Sequence, residues 1–265
     1  MNMNIIAIDV GATKTYVASF QNSIKAPQSL VRFDTPQDKD LLLDMLAESI
    51  QSRGEAEVVS MGVPGVVIDG KVSSNTNMPW HDWPLASLLE ERIGKPVFME
   101  NDANLAALAE IHALESIPSV GLYITISTGI GNGIIVNGKL VNELSTSEAG
   151  LITLETADGP KDWEHIVSGI AIKEHYGKNA ESLSDSEWQE VVQDIGKGLL
   201  TIIPLLRPTV IVFGGSVGIQ LEQFKQYLEA YLDGNLPSIV SKPQLLKASY
   251  DEHSVLYGCR ELAHS

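Results

Sequence analysis

The chain carries one cysteine, Cys259, in 265 residues. That excludes an intrachain disulfide and any zinc site built from several thiolates. Basic residues are also scarce. Lys and Arg number 18 against 34 Asp and Glu, for a net charge of -16. A nucleic-acid surface needs a basic stripe, so this composition disfavours one. The same charge works against long-range attraction of an anionic nucleotide, so a nucleotide site must rely on local donors and a bound cation. No apolar run approaches the ~20 residues of a membrane span. The opening Met1-Asn2-Met3-Asn4 has no charged leader, and the apolar run after it stops at Asp9. It reads as a first strand rather than a signal peptide, which leaves the cytoplasm as the default compartment. No GxxxxGK[ST] occurs, so a Walker loop is excluded.

Apolar residues make up 44% of the chain, enough for a large core and two lobes. Two glycine-turned hairpins stand out. Ile5-Ile-Ala-Ile-Asp9-Val-Gly-Ala-Thr-Lys-Thr-Tyr-Val-Ala18 is the first, and Leu122–Val136, turning through Ser127-Thr-Gly-Ile-Gly131, is the second. Gly-rich turns let backbone N–H groups approach an anion, and small hydroxyls add donors. Two of them, with an acid on the strand feeding the first, suggest halves that close on a polyphosphate. A dinucleotide fingerprint would need a helix after the glycines, whereas Ile134-Ile-Val136 and Thr15-Tyr-Val17 favour strands.

Strands are expected at 5–10, 15–20, 29–33, 57–63, 96–99, 120–136 (a pair), 210–213 and 244–248. Asp69-Gly70 between Val66–Ile68 and Lys71–Ser73 signals a hairpin. Helices are expected at 38–53, 85–93 (stopped by Gly94), 103–114 (capped by Asn101 or Asp102), 162–176, 185–203, 218–232 and near 253–263. The echo between 5–18 and 122–136 suggests a duplicated α/β lobe, with the hinge near Ile117–Val120 and a ligand cleft between lobes.

Five motifs occur in order: Asp9-x-Gly-x-Thr-Lys-Thr15, Gly62-Val-Pro-Gly-Val-Val67, Glu100-Asn-Asp-Ala-Asn104, Ser127-Thr-Gly-Ile-Gly131 and Phe213-Gly-Gly215. Together they resemble the ROK family (repressor, open reading frame, kinase) of sugar kinases. Each is loose alone; the ordered set is specific and covers nearly the whole chain. The resemblance implies an α/β, two-lobed actin/hexokinase-like (ribonuclease H-like) fold with a duplicated α/β domain. The small lobe would comprise 1–117, joined by the C-terminal helix 252–265, and the large lobe 118–251. It further implies an ATP-dependent, glucokinase-like hexose kinase that phosphorylates the sugar 6-hydroxyl, and family analogy suggests a homodimer.

The resemblance also assigns roles. Asp102 becomes the general base, at a helix N-terminus that favours its ionised form; from the residue alone, a helix cap explains it equally well. Gly65, Asn77, Asn101, Asp102, Glu148 and Glu164 fall at sugar-binding positions, although each singly reads as a surface acid or turn residue. Asp9, Gly11, Thr13, Lys14, Thr15, Thr128, Gly129, Gly131, Gly214 and Gly215 fall at ATP-binding positions. Asp9 would orient hydrated Mg²⁺; otherwise it is a turn acid satisfying its own backbone. Trp80 and Trp83 either wall the pocket or fill the core.

Two departures stand out. The family's sugar-contacting His is Leu151 here, and His165 could substitute for it. The family's Cys-rich zinc loop falls on Glu155-Thr-Ala-Asp-Gly-Pro-Lys-Asp162, which has no Cys or His, so no structural zinc is expected. Alternatives are a non-catalytic sugar-responsive regulator, a kinase for N-acetylmannosamine, N-acetylglucosamine or fructose, and a polyphosphate-dependent enzyme. A regulator of this family carries a helix-turn-helix before the first strand, where only Met1–Asn4 stand here.

Overall fold

The structure, a computed structural model, describes residues 3–21, 26–74 and 78–265. The chain divides into two compact units, Met1–Ala109 with His253–Ser265, and Glu110–Glu252.

In the first unit, β1 (Ile5–Val10) and β2 (Lys14–Phe20) form an antiparallel hairpin, and β3 (Gln28–Asp34) pairs on the far side of β2. Helix α1 (Lys39–Gln51) begins at Asp38, whose carboxylate accepts the Leu41 N–H at 2.8 Å, a standard N-cap. Its Leu42, Leu43, Leu46 and Ile50 are buried on one stripe. Strand β4 (Val58–Val63) lies parallel to β1 and is buried at every position, as a central strand covered on both faces should be. The hairpin β5 (Val66–Ile68) and β6 (Lys71–Ser74) turns through Asp69 and Gly70, both at positive φ. After α2 (Leu85–Ile93), which ends on left-handed Gly94, β7 (Val97–Asn101) joins β4 in parallel and leads directly into α3 (Asp102–His112). The sheet order is β3-β2-β1-β4-β7.

The second unit repeats this plan. Strands β8 (Val120–Ile126), β9 (Ile130–Val136) and β10 (Lys139–Leu140) form the antiparallel part. The small hairpin β11 (Thr153–Thr156) and β12 (Gly159–Asp162) follows, then α4 (Trp163–Val167), α5 (Gly169–Tyr176) and α6 (Asp185–Leu206). Strand β13 (Val210–Gly214), helices α7 (Gly215–Gly218) and α8 (Leu221–Asn235), and β14 (Gln244–Lys247) complete it. The order β10-β9-β8-β13-β14 has the same senses as the first sheet: an antiparallel meander, then two parallel strands. The duplicated α/β domain suggested by the sequence echo is this shared topology. Trp163, Trp188, Phe213 and Phe224 centre the second core, with Trp188 stacked on Phe224 at 4.8 Å.

Helix α9 (Ser254–His264) returns to the first unit, burying Leu256 and Cys259 against Ile5, Ala7 and Ala18. Gly258 makes this contact possible, because a Cβ there would run into the Leu105 backbone.

Two expectations differ in detail. The single helix expected over 162–176 is two, broken where Ser168 turns extended (ψ 167°) and caps α5 by accepting the Ala171 N–H. The helix expected from Gly218 begins at Leu221, after the short turn α7. Residues 155–162, where the family's zinc loop falls, lie in the hairpin of β11 and β12, closed by the Thr156 hydroxyl donating to the Gly159 carbonyl at 2.7 Å. Among the described residues no helix is long and apolar enough to cross a membrane.

Candidate functional site

Strand register gathers the first unit's candidates at one sheet edge. Asp9 stands beside Gly62, and Gly62 beside Glu100, so Asp9, Asn101 and Asp102 all lie at the carboxyl ends of neighbouring parallel strands. That edge is where open α/β sheets place ligands. Asn101 Oδ1 accepts the Asn104 N–H at 3.1 Å, so Asn101 performs the capping of α3. Its Nδ2 donates to the Gly65 carbonyl at 2.9 Å, fixing the turn after β4, where Gly65 sits at φ 92°. Glu100 holds the same corner from behind, accepting the Asn101 N–H at 2.8 Å and Asn104 Nδ2 at 3.0 Å.

Asp102 is half-buried. Removal of water from its carboxyl pushes the pKa up to about 6, partly countered by the Ala103 N–H that it accepts at 2.8 Å. A carboxylate poised near neutrality, with the helix cap supplied by its neighbour, suits proton abstraction. Asn77 lies outside the described residues.

The first glycine turn is braced from within. Gly11 N donates to the Lys14 carbonyl at 2.9 Å, and Thr35 Oγ1 donates to the Gly11 carbonyl at 2.8 Å. Thr15 is fully buried, with its hydroxyl 2.9 Å from that of Thr35, whereas Thr13 and Lys14 are exposed. Thr35 did not emerge from the sequence, because only the β2–β3 register brings it to the turn. Asp9 is half-buried at the end of β1. Trp80 and Trp83 are buried in the first core, 5.1 Å apart, so they fill it.

In the second unit, Ser127, Gly169 and Ser216 converge. Gly169 N donates to the Ser127 carbonyl at 2.6 Å, and the Ser127 and Ser216 hydroxyls lie 3.5 Å apart. Gly215, at φ 76°, passes so close to Ile126 and Thr125 that a Cβ would collide with them. The turns carrying Thr128, Gly129 and Gly131 and carrying Gly214 and Gly215 thus share one end of this sheet, where Gly131 and Gly214 both flank Thr125. Glu164 Oε2 accepts the Ile130 N–H at 3.3 Å, and a Cβ on Gly129 would stand 2.6 Å from that oxygen. Glu148 is exposed and precedes a single 3₁₀ turn, Ala149–Leu151. Leu151 is 55% exposed. His165 faces solvent, 3.6 Å from Asp162 Oδ2, rather than joining Glu164.

Among the described residues no group of three His, Cys, Asp or Glu could hold a metal ion. A lone carboxylate such as Asp9 does fit Mg²⁺, which keeps most of its water and takes the rest of its ligands from phosphates.

The ROK family model matches residues 5–265. An N-acetylmannosamine kinase of Salmonella typhi is 33% identical over 172 residues, 60% of this chain and 56% of that relative. The chain thus spans little more than half the length of the relatives that it matches in sequence. Among solved structures, a ROK hexokinase from Thermus thermophilus superposes with TM-score 0.78 at 25% identity, covering 99% of this chain and 100% of that one. A ROK family glucokinase from Streptomyces griseus, in complex with glucose and AMPPNP, gives 0.80 at 23% identity, covering 98% of each.

Proposed function

The chain belongs to the ROK family, and from that premise we propose that it is a sugar kinase, transferring the γ-phosphoryl group of MgATP to the 6-hydroxyl of a hexose, with glucose the first candidate. The observation that carries this reading is Asp102: a carboxyl with a pKa of about 6 at the start of α3, whose cap is provided by Asn101. Asp102 takes the hydroxyl proton as the sugar oxygen bonds to the γ-phosphorus and the bond to the leaving ADP oxygen breaks. The products are sugar phosphate and ADP, with the proton on Asp102.

Phosphoryl transfer asks mainly for positioning and neutralisation of charge. The N–H-rich turns at Gly11–Lys14 and Ser127–Gly131 receive phosphates, and Gly214 and Gly215 let the nucleotide approach the backbone. Asp9 would hold Mg²⁺ through water, and the ion would offset phosphate charge. Asn101, Glu148 and Glu164 offer the acceptors and donors that vicinal hydroxyls need. Gly65 and Thr15 act through neighbours, Gly65 by fixing Asn101 and Thr15 by fixing Thr35.

N-acetylmannosamine is a second sugar for this reading, because a relative 33% identical over 172 residues bears that name. An ADP-release assay with MgATP across glucose, mannose, fructose, N-acetylglucosamine and N-acetylmannosamine tests the proposal. Turnover with at least one of them, at about 1–100 per second, is expected. No sugar phosphate from any of them would overturn the kinase reading and favour a sugar-responsive regulator; turnover with polyphosphate alone would reassign the donor.

A further inference from the structure

We propose that Asn132 is a positioning residue for the sugar-contacting turn at Glu148, an inference that rests on the kinase reading above. Asn132 lies on β9, just after Gly131, and is 6% exposed. Its Oδ1 accepts the Ala149 N–H at 2.7 Å in a buried bond. Accepting from an N–H fixes which end of the amide is oxygen.

Ala149 N belongs to the peptide that joins Glu148 to the 3₁₀ turn. That turn supplies its own later bonds: Leu151 N donates to the Glu148 carbonyl at 3.2 Å and Ile152 N to the Ala149 carbonyl at 3.1 Å. The first N–H of such a turn has no partner within it, and here it is buried with Ala149. Asn132 provides that partner across 17 residues of sequence.

The same stretch of β9 holds the other carboxylate. Ile130 N donates to Glu164 Oε2 at 3.3 Å. Ile130 and Asn132 are two apart on one strand, the first reaching Glu164 through its backbone N–H and the second Ala149 through its side chain. Gly150 makes the fit close, since a Cβ there would strike the Ile130 carbonyl and stand 3.1 Å from Glu164 Oε2. Two residues of a rigid strand thus set the spacing of Glu148 and Glu164. Four of the eight residues leading up to this turn, Asn142, Glu143, Thr146 and Glu148, face solvent, as does Leu151 within it, so the buried Ala149 N–H is where the turn meets β9. The glycine-rich signature hides this role: it draws attention to backbone approach, while Asn132 acts through its side chain.

The experiment uses the full chain and compares wild type with Asn132→Ala, Asn132→Asp and Glu148→Ala, and with the double variant Asn132→Ala/Glu148→Ala. KM for sugar, KM for ATP, kcat and melting temperature are measured on each. Asn132→Ala should raise KM for sugar about tenfold, as expected for leaving a buried N–H unpaired, with KM for ATP within twofold. Asn132→Asp keeps the acceptor oxygen and should restore most of the sugar affinity. In the Glu148→Ala background, removing Asn132 should change KM for sugar by less than twofold, because the residue acts through Glu148. If Asn132→Ala does not fold, Asn132→Ser, whose shorter oxygen cannot reach, replaces it in the cycle. An unchanged sugar KM in Asn132→Ala, or equal effects in both backgrounds, would overturn the proposal while leaving the kinase reading intact. A wild type that phosphorylates none of the sugars would overturn both.

Discussion

Asn101 donates through Nδ2 to the carbonyl of Gly65 at 2.9 Å. Its oxygen meanwhile takes the Asn104 N–H, so one side chain ties the turn after β4 to the first turn of α3. Asn101 thus does the capping that the sequence leaves open between it and Asp102, and this shapes what each substitution should do.

Asp102→Asn should lower kcat by about 10²–10⁴-fold, the scale of losing a general base, with sugar affinity nearly kept. Its stability effect has a definite sign. The native carboxyl is held at about 6, above its ordinary 3.8. The folded state therefore binds this proton more tightly than the unfolded one, and stability is lost as pH rises from about 4 to 6. Asn carries no such penalty. The variant should melt no lower than wild type at pH 8, measured by calorimetry, and near-native kcat would remove Asp102 from the mechanism.

The pH profile follows from the same group. A general base at Asp102 would work ionised, so kcat/KM for sugar should fall below about pH 6, by roughly tenfold per unit. The residual activity of Asp102→Asn should lack that limb. A flat wild-type profile between pH 5 and 7 would assign proton abstraction elsewhere.

Thr35→Val keeps the shape and removes the hydroxyl that links Thr15 to the Gly11 carbonyl. The loosened turn should raise KM for ATP by about fivefold, corresponding to ~1 kcal/mol for a hydrogen bond. KM for sugar should stay within twofold. Steady-state kinetics with each substrate varied in turn would check this, and equal rises in both would point to general destabilisation.

Zinc content offers a test of the 153–162 segment. The hairpin closes through backbone pairing and the Thr156 hydroxyl, and residues 153–162 include no Cys or His. Dialysed protein should contain far less than one zinc per chain, and a chelator should leave the melting temperature unchanged. Stoichiometric zinc whose removal unfolds the protein would contradict this.

Much of the fold is legible because its signals are local. The apolar run Val58–Val63, the glycine turns and Asp69-Gly70 each announce an element without help from distant residues. The break at Ser168 is harder to see, since apolar residues continue at helical spacing on both sides and only the Ser-Gly pair marks it. The hairpin of β11 and β12 carries a local signal, Asp158-Gly159, but its strands are only four residues each and more than half of their positions are polar or charged. Asp9, Asn101 and Asp102 were legible as candidates from chain order. Thr35 and Asn132 were not, because each gains its role from strand register or a contact across the fold.

Helix α9 seats Gly258 on the backbone of Leu105 and buries Cys259 beneath β1. During synthesis, then, the first unit emerges without a wall of its own core. The second unit has all its strands and helices before residue 253 is made, and it can settle while the earlier segment still waits. Nascent chains usually mature from the N-terminal side; here α9 must be made before the core of the first unit is covered. Until then Ile5, Ala7 and Ala18 lack the cover that Leu256 and Cys259 give them in the folded chain.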